Sequence, residues 1–130
     1  MRYLLDTCVL SDYFRRVGGV HERLHARSPY ELGVSAITEH EVRFGLALKH
    51  APKLETQVNR FLETVEVLPF GREDARAAAE VRASLRAAGK PIGDFDALIA
   101  GVALAHELVL VTSNEREFER VRGLEVENWR

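Results

Sequence analysis

A single cysteine, Cys8, stands in 130 residues, so neither an intramolecular disulfide nor a cysteine-rich zinc site is available. Prolines are few as well. Pro29, Pro52, Pro69 and Pro91 all fall between apolar segments, where a missing N–H does least harm. No apolar run approaches the ~20 residues of a membrane span. The first residues, MRYLLDTCVLSDYFRR, have a short apolar stretch and an early Asp6, which does not suit a secretory signal. The expectation is a cytoplasmic chain with no membrane partner. An excess of one charge is also missing: 18 Lys and Arg face 20 Asp and Glu, for a formal net charge of −2. That total neither marks nor excludes a nucleic-acid binder, because local patches decide. The remaining composition, 46% apolar and 29% charged, is ordinary for a globular protein. The length fits one domain spanning residues 1–130, and no repeat or linker divides it.

Short apolar runs recur along the chain at Tyr3–Leu5, Leu32–Val34, Val65–Leu68, Leu108–Val111 and, more weakly, Leu124–Val126. The fourth is continuously apolar and β-branched, which suits a strand buried on both faces. Between the runs lie segments with helical spacing: Val9 to Arg16, Val20 to Arg27, Ile37 to His50, Lys53 to Glu63, Glu73 to Ala88 and Phe95 to His106. Strands alternating with helices predict an α/β domain with a central, mainly parallel sheet. In such folds the chemistry gathers at the carboxyl ends of the strands.

Acids stand at those ends. Asp6 follows the first strand and reads equally as a functional carboxylate or as the cap of the next helix. Glu41 follows the second strand, and Thr38 and Glu41 have the spacing of a capping box. Gly45, one turn on, predicts a close backbone approach. Asp94 and Asp96 open the helix before the fourth strand; Asp94 is the better cap candidate. Thr112-Ser113-Asn114 and Glu117 follow the fourth strand, Asn114 and Glu117 again at cap-like spacing. Each acid alone has a structural explanation. Together they would share one edge of a parallel sheet, where their mutual repulsion calls for a divalent cation with hard oxygen ligands, Mg²⁺ or Mn²⁺. Such an ion serves phosphodiester cleavage.

Five stretches carry a resemblance: Tyr3-Leu-Leu-Asp6-Thr-Cys-Val-Leu-Ser11, Thr38-Glu-His-Glu41-Val-Arg-Phe-Gly45, Ile92-Gly-Asp-Phe-Asp96-Ala-Leu-Ile-Ala100, Leu110-Val-Thr-Ser-Asn114-Glu-Arg-Glu117-Phe118 and Val126-Glu-Asn-Trp129. In this order they resemble the PIN-domain ribonucleases of the VapC type, toxins of toxin–antitoxin pairs. The resemblance implies an α/β/α sandwich with about five strands and a metal-dependent endoribonuclease, with transfer RNA as a candidate substrate. Asp6, Glu41 and Asp96 match the family's metal ligands. Asn114 stands where many PIN domains have Asp, and Glu117 is the nearby acid that serves in some relatives. Asp94 and Thr112 join Asn114 and Glu117 as candidates for a second metal or for positioning water. Cys8 stands where the family usually has Asn.

The resemblance also implies a small antitoxin partner and a homodimer. Arg43 and Arg15 are candidate contacts for RNA or antitoxin, while Arg76, Arg82 and Arg86 read as solvated helix charges. Tyr13, Phe14, Phe44 and Leu48 are either core or a surface for an amphipathic partner segment. Thr7, Ser11, Thr112 and Ser113 either orient water and phosphate or serve as helix and turn hydroxyls. Two rivals remain: an inactive PIN-fold binding module, and a phosphoryl-transfer domain of the haloacid-dehalogenase or receiver kind with Asp6 as nucleophile. A serine or cysteine hydrolase is a weaker reading still, because Asp6 beside Cys8 disfavours a thiolate.

Overall fold

The structure is a computed structural model that describes residues 1–130. Five strands, β1 (Tyr3–Leu5), β2 (Leu32–Ser35), β3 (Glu66–Leu68), β4 (Val109–Val111) and β5 (Val126–Glu127), form one sheet in the order β3-β2-β1-β4-β5. Every neighbouring pair is parallel. Seven helices connect them: α1 (Thr7–Arg15), α2 (Val20–His25), α3 (Ala36–Leu48), α4 (Pro52–Thr64), α5 (Arg72–Ala87), α6 (Asp94–Ala105) and α7 (Glu115–Phe118). The expected α/β/α sandwich is present. The sequence-derived boundaries differ by a residue or two, and the short α7 is a helix beyond the six segments read from spacing.

Because all strands run one way, their carboxyl ends share one edge. The chain steps from β1 to β2 to β3 on one side, then crosses over to place β4 and β5 on the other. The β1–β4 junction is therefore the topological switch point, where a parallel sheet leaves a crevice. Asp6 leaves β1 and Thr112 leaves β4 at that junction.

The alternation of side chains along a strand builds the two layers. Tyr3 and Leu5 of β1 and Val109 and Val111 of β4 face one side, against Val9, Leu10, Val20, Leu24 and Phe61. Leu4 and Leu110 face the other, against Val81, Leu85, Ile99, Val102 and Phe118. Trp129, almost fully buried, meets the Tyr3 ring edge-on at 5.0 Å. No helix is long and apolar enough to cross a membrane.

Two readings of helix geometry need correcting. Gly45 meets nothing: a Cβ built there finds no atom within 4 Å. The close approach lies at Gly101, where a Cβ would stand 2.6 Å from the Ala78 nitrogen and 2.7 Å from its Cβ. Helices α5 and α6 thus touch backbone to backbone, which only a glycine permits. The α6 cap is Gly93, not Asp94, which is the first helical residue and pairs with Arg82 at 3.1 Å on the surface.

These two glycines predict opposite outcomes. Gly101→Ala forces α5 and α6 apart and destabilises the fold by about 1–3 kcal/mol, as overpacking does. Gly45→Ala stabilises it by up to ~1 kcal/mol, from helix propensity alone. Urea denaturation of both variants beside the parent checks the contrast.

Candidate active site

Asp6 takes the capping role its position suggested, and it also lies within the influence of the other acids. As the N-cap of α1 it accepts a hydrogen bond from the Thr7 N–H at 2.8 Å on Oδ1. Its other oxygen accepts from Thr112 Oγ1 at 2.8 Å and from the Cys8 thiol at 3.4 Å. The residue is only 4% exposed. Burial pushes its carboxyl pKa up; the Thr112, Thr7 and Cys8 hydrogen bonds pull it back, and the charge of Glu41 adds to the rise. Cys8 sits inside this knot. Its sulfur accepts from Ser113 Oγ at 3.3 Å and from the Ser113 N–H at 3.5 Å. Burial first and the Asp6 charge second hold the thiol protonated, so it is no nucleophile.

Glu41 is not half of a capping box. The cap of α3 is Ser35, whose Oγ accepts from the Thr38 N–H at 3.0 Å. Glu41 lies a turn and a half into α3 and is free to reach across to α1. There its Oε1 accepts from Thr7 Oγ1 at 2.6 Å. Thr7 Oγ1 also lies 3.2 Å from the buried Thr38 hydroxyl. Thr7 and Thr38 therefore serve the carboxylates through side chains that sequence reading took as water ligands or caps. The available signal was a hydroxyl next to each acid at a strand exit.

Asp96 stands in the first turn of α6, half-buried. Its pKa is pushed up to about 7. Burial is the main cause, followed by the charges of Asp6, Glu117 and Glu41, and then by a hydrogen bond to Glu117 that favours the protonated form. The same three carboxylates that the sequence nominated thus act on Asp96 at short range. Glu117 is turned toward them from α7, where its Oε2 accepts from Asn114 Nδ2 at 3.1 Å. Asn114 makes no side-chain cap; its own N–H is held by Thr112 Oγ1 at 2.9 Å.

None of Asp6, Glu41, Asp96 or Glu117 is paired with a Lys, Arg or His within 4.0 Å. The donor set is carboxylate, amide and hydroxyl oxygen, the chemistry of a hard dication. No three acids already stand close enough to cage an ion by themselves. Other candidates lie outside the pocket. Asp94 is tied to Arg82, Ser11 is exposed, and Arg15 reaches toward Asp12 at 4.0 Å. Arg43 is paired with Glu39 at 2.9 Å on the outer face of α3. Tyr13 and Phe14 are partly buried against Phe61, whereas Phe44 and Leu48 are exposed.

A crevice of four acids at the switch point of a parallel sheet is a recognisable arrangement, and the family model for the PIN domain matches residues 3–124. The chain belongs to the PIN-domain family. Within that family it is of the VapC type. It is 33% identical to the tRNA(fMet)-specific endonuclease VapC of Shigella flexneri, with 99% of this chain and 98% of that protein covered. It is 34% identical to the ribonuclease VapC2 of Haemophilus influenzae, again over 99% and 98%. A DNA-bound VapBC complex from Salmonella typhimurium has a chain similar to it at a TM-score of 0.93, with 32% identity over 100% of this PIN domain and 99% of that chain. These matches do not favour the haloacid-dehalogenase and receiver readings.

The crowded acids predict a pH dependence of stability. The Asp96 carboxyl is pushed up to about 7 in the folded chain, against 3.8 for an ordinary aspartate. The folded state therefore binds the proton more tightly, so stability falls as pH rises from about 4 through about 7 and stays low above. Asp96→Asn lacks this penalty. In a chelator its melting temperature exceeds that of the parent at pH 8, with the gain gone by about pH 4; each kcal/mol appears as roughly 3–5 °C. Partial exposure screens the repulsion and keeps the gain to a few degrees. Melting curves across this range, equal at every pH, would contradict it.

Proposed function

We propose that this protein is a metal-dependent endoribonuclease acting as the toxin of a toxin–antitoxin pair. The observation that carries the reading is the convergence of Asp6, Glu41, Asp96 and Glu117 on one crevice without an internal cation, with the Asp96 carboxyl pushed up to about 7 by burial first and by the other three charges second. The ribonuclease names of similar proteins support it, as do the VapBC complexes among similar structures.

Asp6, Glu41 and Asp96 would hold one Mg²⁺ or Mn²⁺, and Glu117 with Asn114 would stand beside a second. When bound, the ion supplies an activated water and offsets the charge that builds on an RNA phosphate. The chain's own part is positional. The Thr112 hydroxyl and the Thr7 N–H fix the two Asp6 oxygens. Below about pH 7 a cation competes with a proton for Asp96, so cation affinity rises with pH. Asn114 directs the Glu117 carboxylate by donating to it. The VapC named for tRNA(fMet) makes transfer RNA the first substrate to try. A small antitoxin is the partner this reading requires, and a homodimer is the expected assembly. The inactive binding module is not favoured, because similar proteins are named as ribonucleases.

The deciding experiment incubates transfer RNA with the parent, Asp6→Ala and Asp96→Ala at pH 8, with Mg²⁺, with Mn²⁺ and with chelator. Expected is cleavage by the parent that needs the ion, and a loss of at least about 10²-fold in both variants, whose far-UV circular dichroism matches the parent. Ion-independent cleavage, or full activity in both variants, would refute the proposal.

A further inference from the structure

We infer that Thr7 is a positioning residue that holds Glu41 in the acidic crevice by its hydroxyl. This deepens the metal-nuclease reading and rests on it for the role of Glu41. Thr7 touches two carboxylates through two groups: its N–H reaches Asp6 Oδ1 at 2.8 Å, and its Oγ1 reaches Glu41 Oε1 at 2.6 Å. Asp6 and Thr7 are at the start of α1, and Glu41 is inside α3, so this one residue joins two elements that are 34 positions apart in the chain.

A threonine hydroxyl has one proton and can accept further bonds. Two oxygens lie within reach, the Glu41 carboxylate at 2.6 Å and Thr38 Oγ1 at 3.2 Å. The proton goes to the carboxylate, which is closer and charged. Thr38 Oγ1 stays beside the Thr7 hydroxyl as a second, longer contact. That neighbour is fixed, because Thr38 is fully buried and its N–H is bonded to the Ser35 cap.

Glu41 needs such a tether. It has three rotatable side-chain bonds, is half-buried, and faces the like charges of Asp6 and Asp96. Side-chain entropy and repulsion both favour swinging it out to water. Unlike Asp6, it has no backbone N–H to fix it; the only side-chain hydrogen bond it makes is to Thr7. An ion arriving at the crevice then meets a carboxylate already turned inward, and no ordering of Glu41 has to accompany binding.

The test uses the full chain with Thr7→Val, which keeps the branched shape and drops the hydroxyl, and Thr7→Ser, which keeps the hydroxyl. In the first arm, melting temperatures are measured in chelator for Thr7→Val, Glu41→Ala and the double variant. The shifts are expected to be non-additive, because the pair interacts directly; additive shifts overturn the assignment. In the second arm, Mn²⁺ binding is measured by calorimetry. Thr7→Val is expected to bind about tenfold more weakly, Thr7→Ser to restore the affinity, and Thr7→Val to cause no further loss in the Glu41→Ala background. Parent-like affinity in Thr7→Val overturns it. A parent chain that takes up no Mn²⁺ refutes the metal reading, while the metal-free arm still decides the Thr7–Glu41 link.

Discussion

Like-charge crowding at the β1–β4 junction is the constraint on which the rest of the site depends. Four carboxylates occupy one crevice, and the chain offers no Lys, Arg or His to neutralise them. The fold compensates with dipoles instead. Asp6 caps α1 and Asp96 lies in the first turn of α6, so two helix N-termini direct their partial positive charge at the acids. Donors from Thr112, Thr7 and Cys8 surround Asp6. These interactions do not fully offset the crowding: burial, and after it the charges of Asp6, Glu117 and Glu41, push the Asp96 carboxyl up. A cation that bound only the folded chain would offset this cost.

The parallel topology makes the crowding possible. All strand exits share one edge, so acids separated by up to 111 positions, from Asp6 to Glu117, reach one place without any long loop. The two layers are asymmetric in how they support it. On one face α1 and α2 pack through large apolar side chains, with Tyr3 and Trp129 meeting edge-on. On the other, α5 and α6 meet at Gly101 and Ala78 with no side chain between them. That close contact limits the freedom of α6 to slide, and α6 carries Asp96.

The strands and most helices were legible because apolar periodicity is a local signal: Leu108 to Val111 and the stripe through Ala78, Val81 and Leu85 need no partner to be read. Asp6, Asp96 and Glu117 were legible by their places at a strand exit or in the first turn of a helix, whereas Glu41 lies a turn and a half into α3 and reaches the others only through the fold. What failed was the assignment of individual roles. Thr38 and Glu41 have the spacing of a capping box, yet Ser35 caps α3; several Ser and Thr positions near a helix start satisfy the same local rule, and the first turn of backbone decides between them. Gly45 and Gly101 look alike in sequence. Only the crossing of α5 over α6 distinguishes them, and a helix crossing is a tertiary fact. The bond from Thr7 to Glu41 spans two elements and leaves no periodic trace at all.

The two departures from the family pattern look different once the contacts are known. Cys8 stands where the family usually has Asn, and a thiol is a weak donor at 3.4 Å from Asp6. The orientation of Asp6 does not depend on it, because Thr112 donates to the same oxygen at 2.8 Å. Asn114 stands where many relatives carry Asp, and its amide donates to Glu117 at 3.1 Å. An aspartate at 114 would replace that donor with a charge facing Glu117 and add to the repulsion on Asp96. Here the acid stands as the third residue of α7, and the amide at the cap donates to it. With Asn at 114 and Glu at 117 the four acids carry one hydrogen bond where an Asp at 114 would set one more repulsive contact.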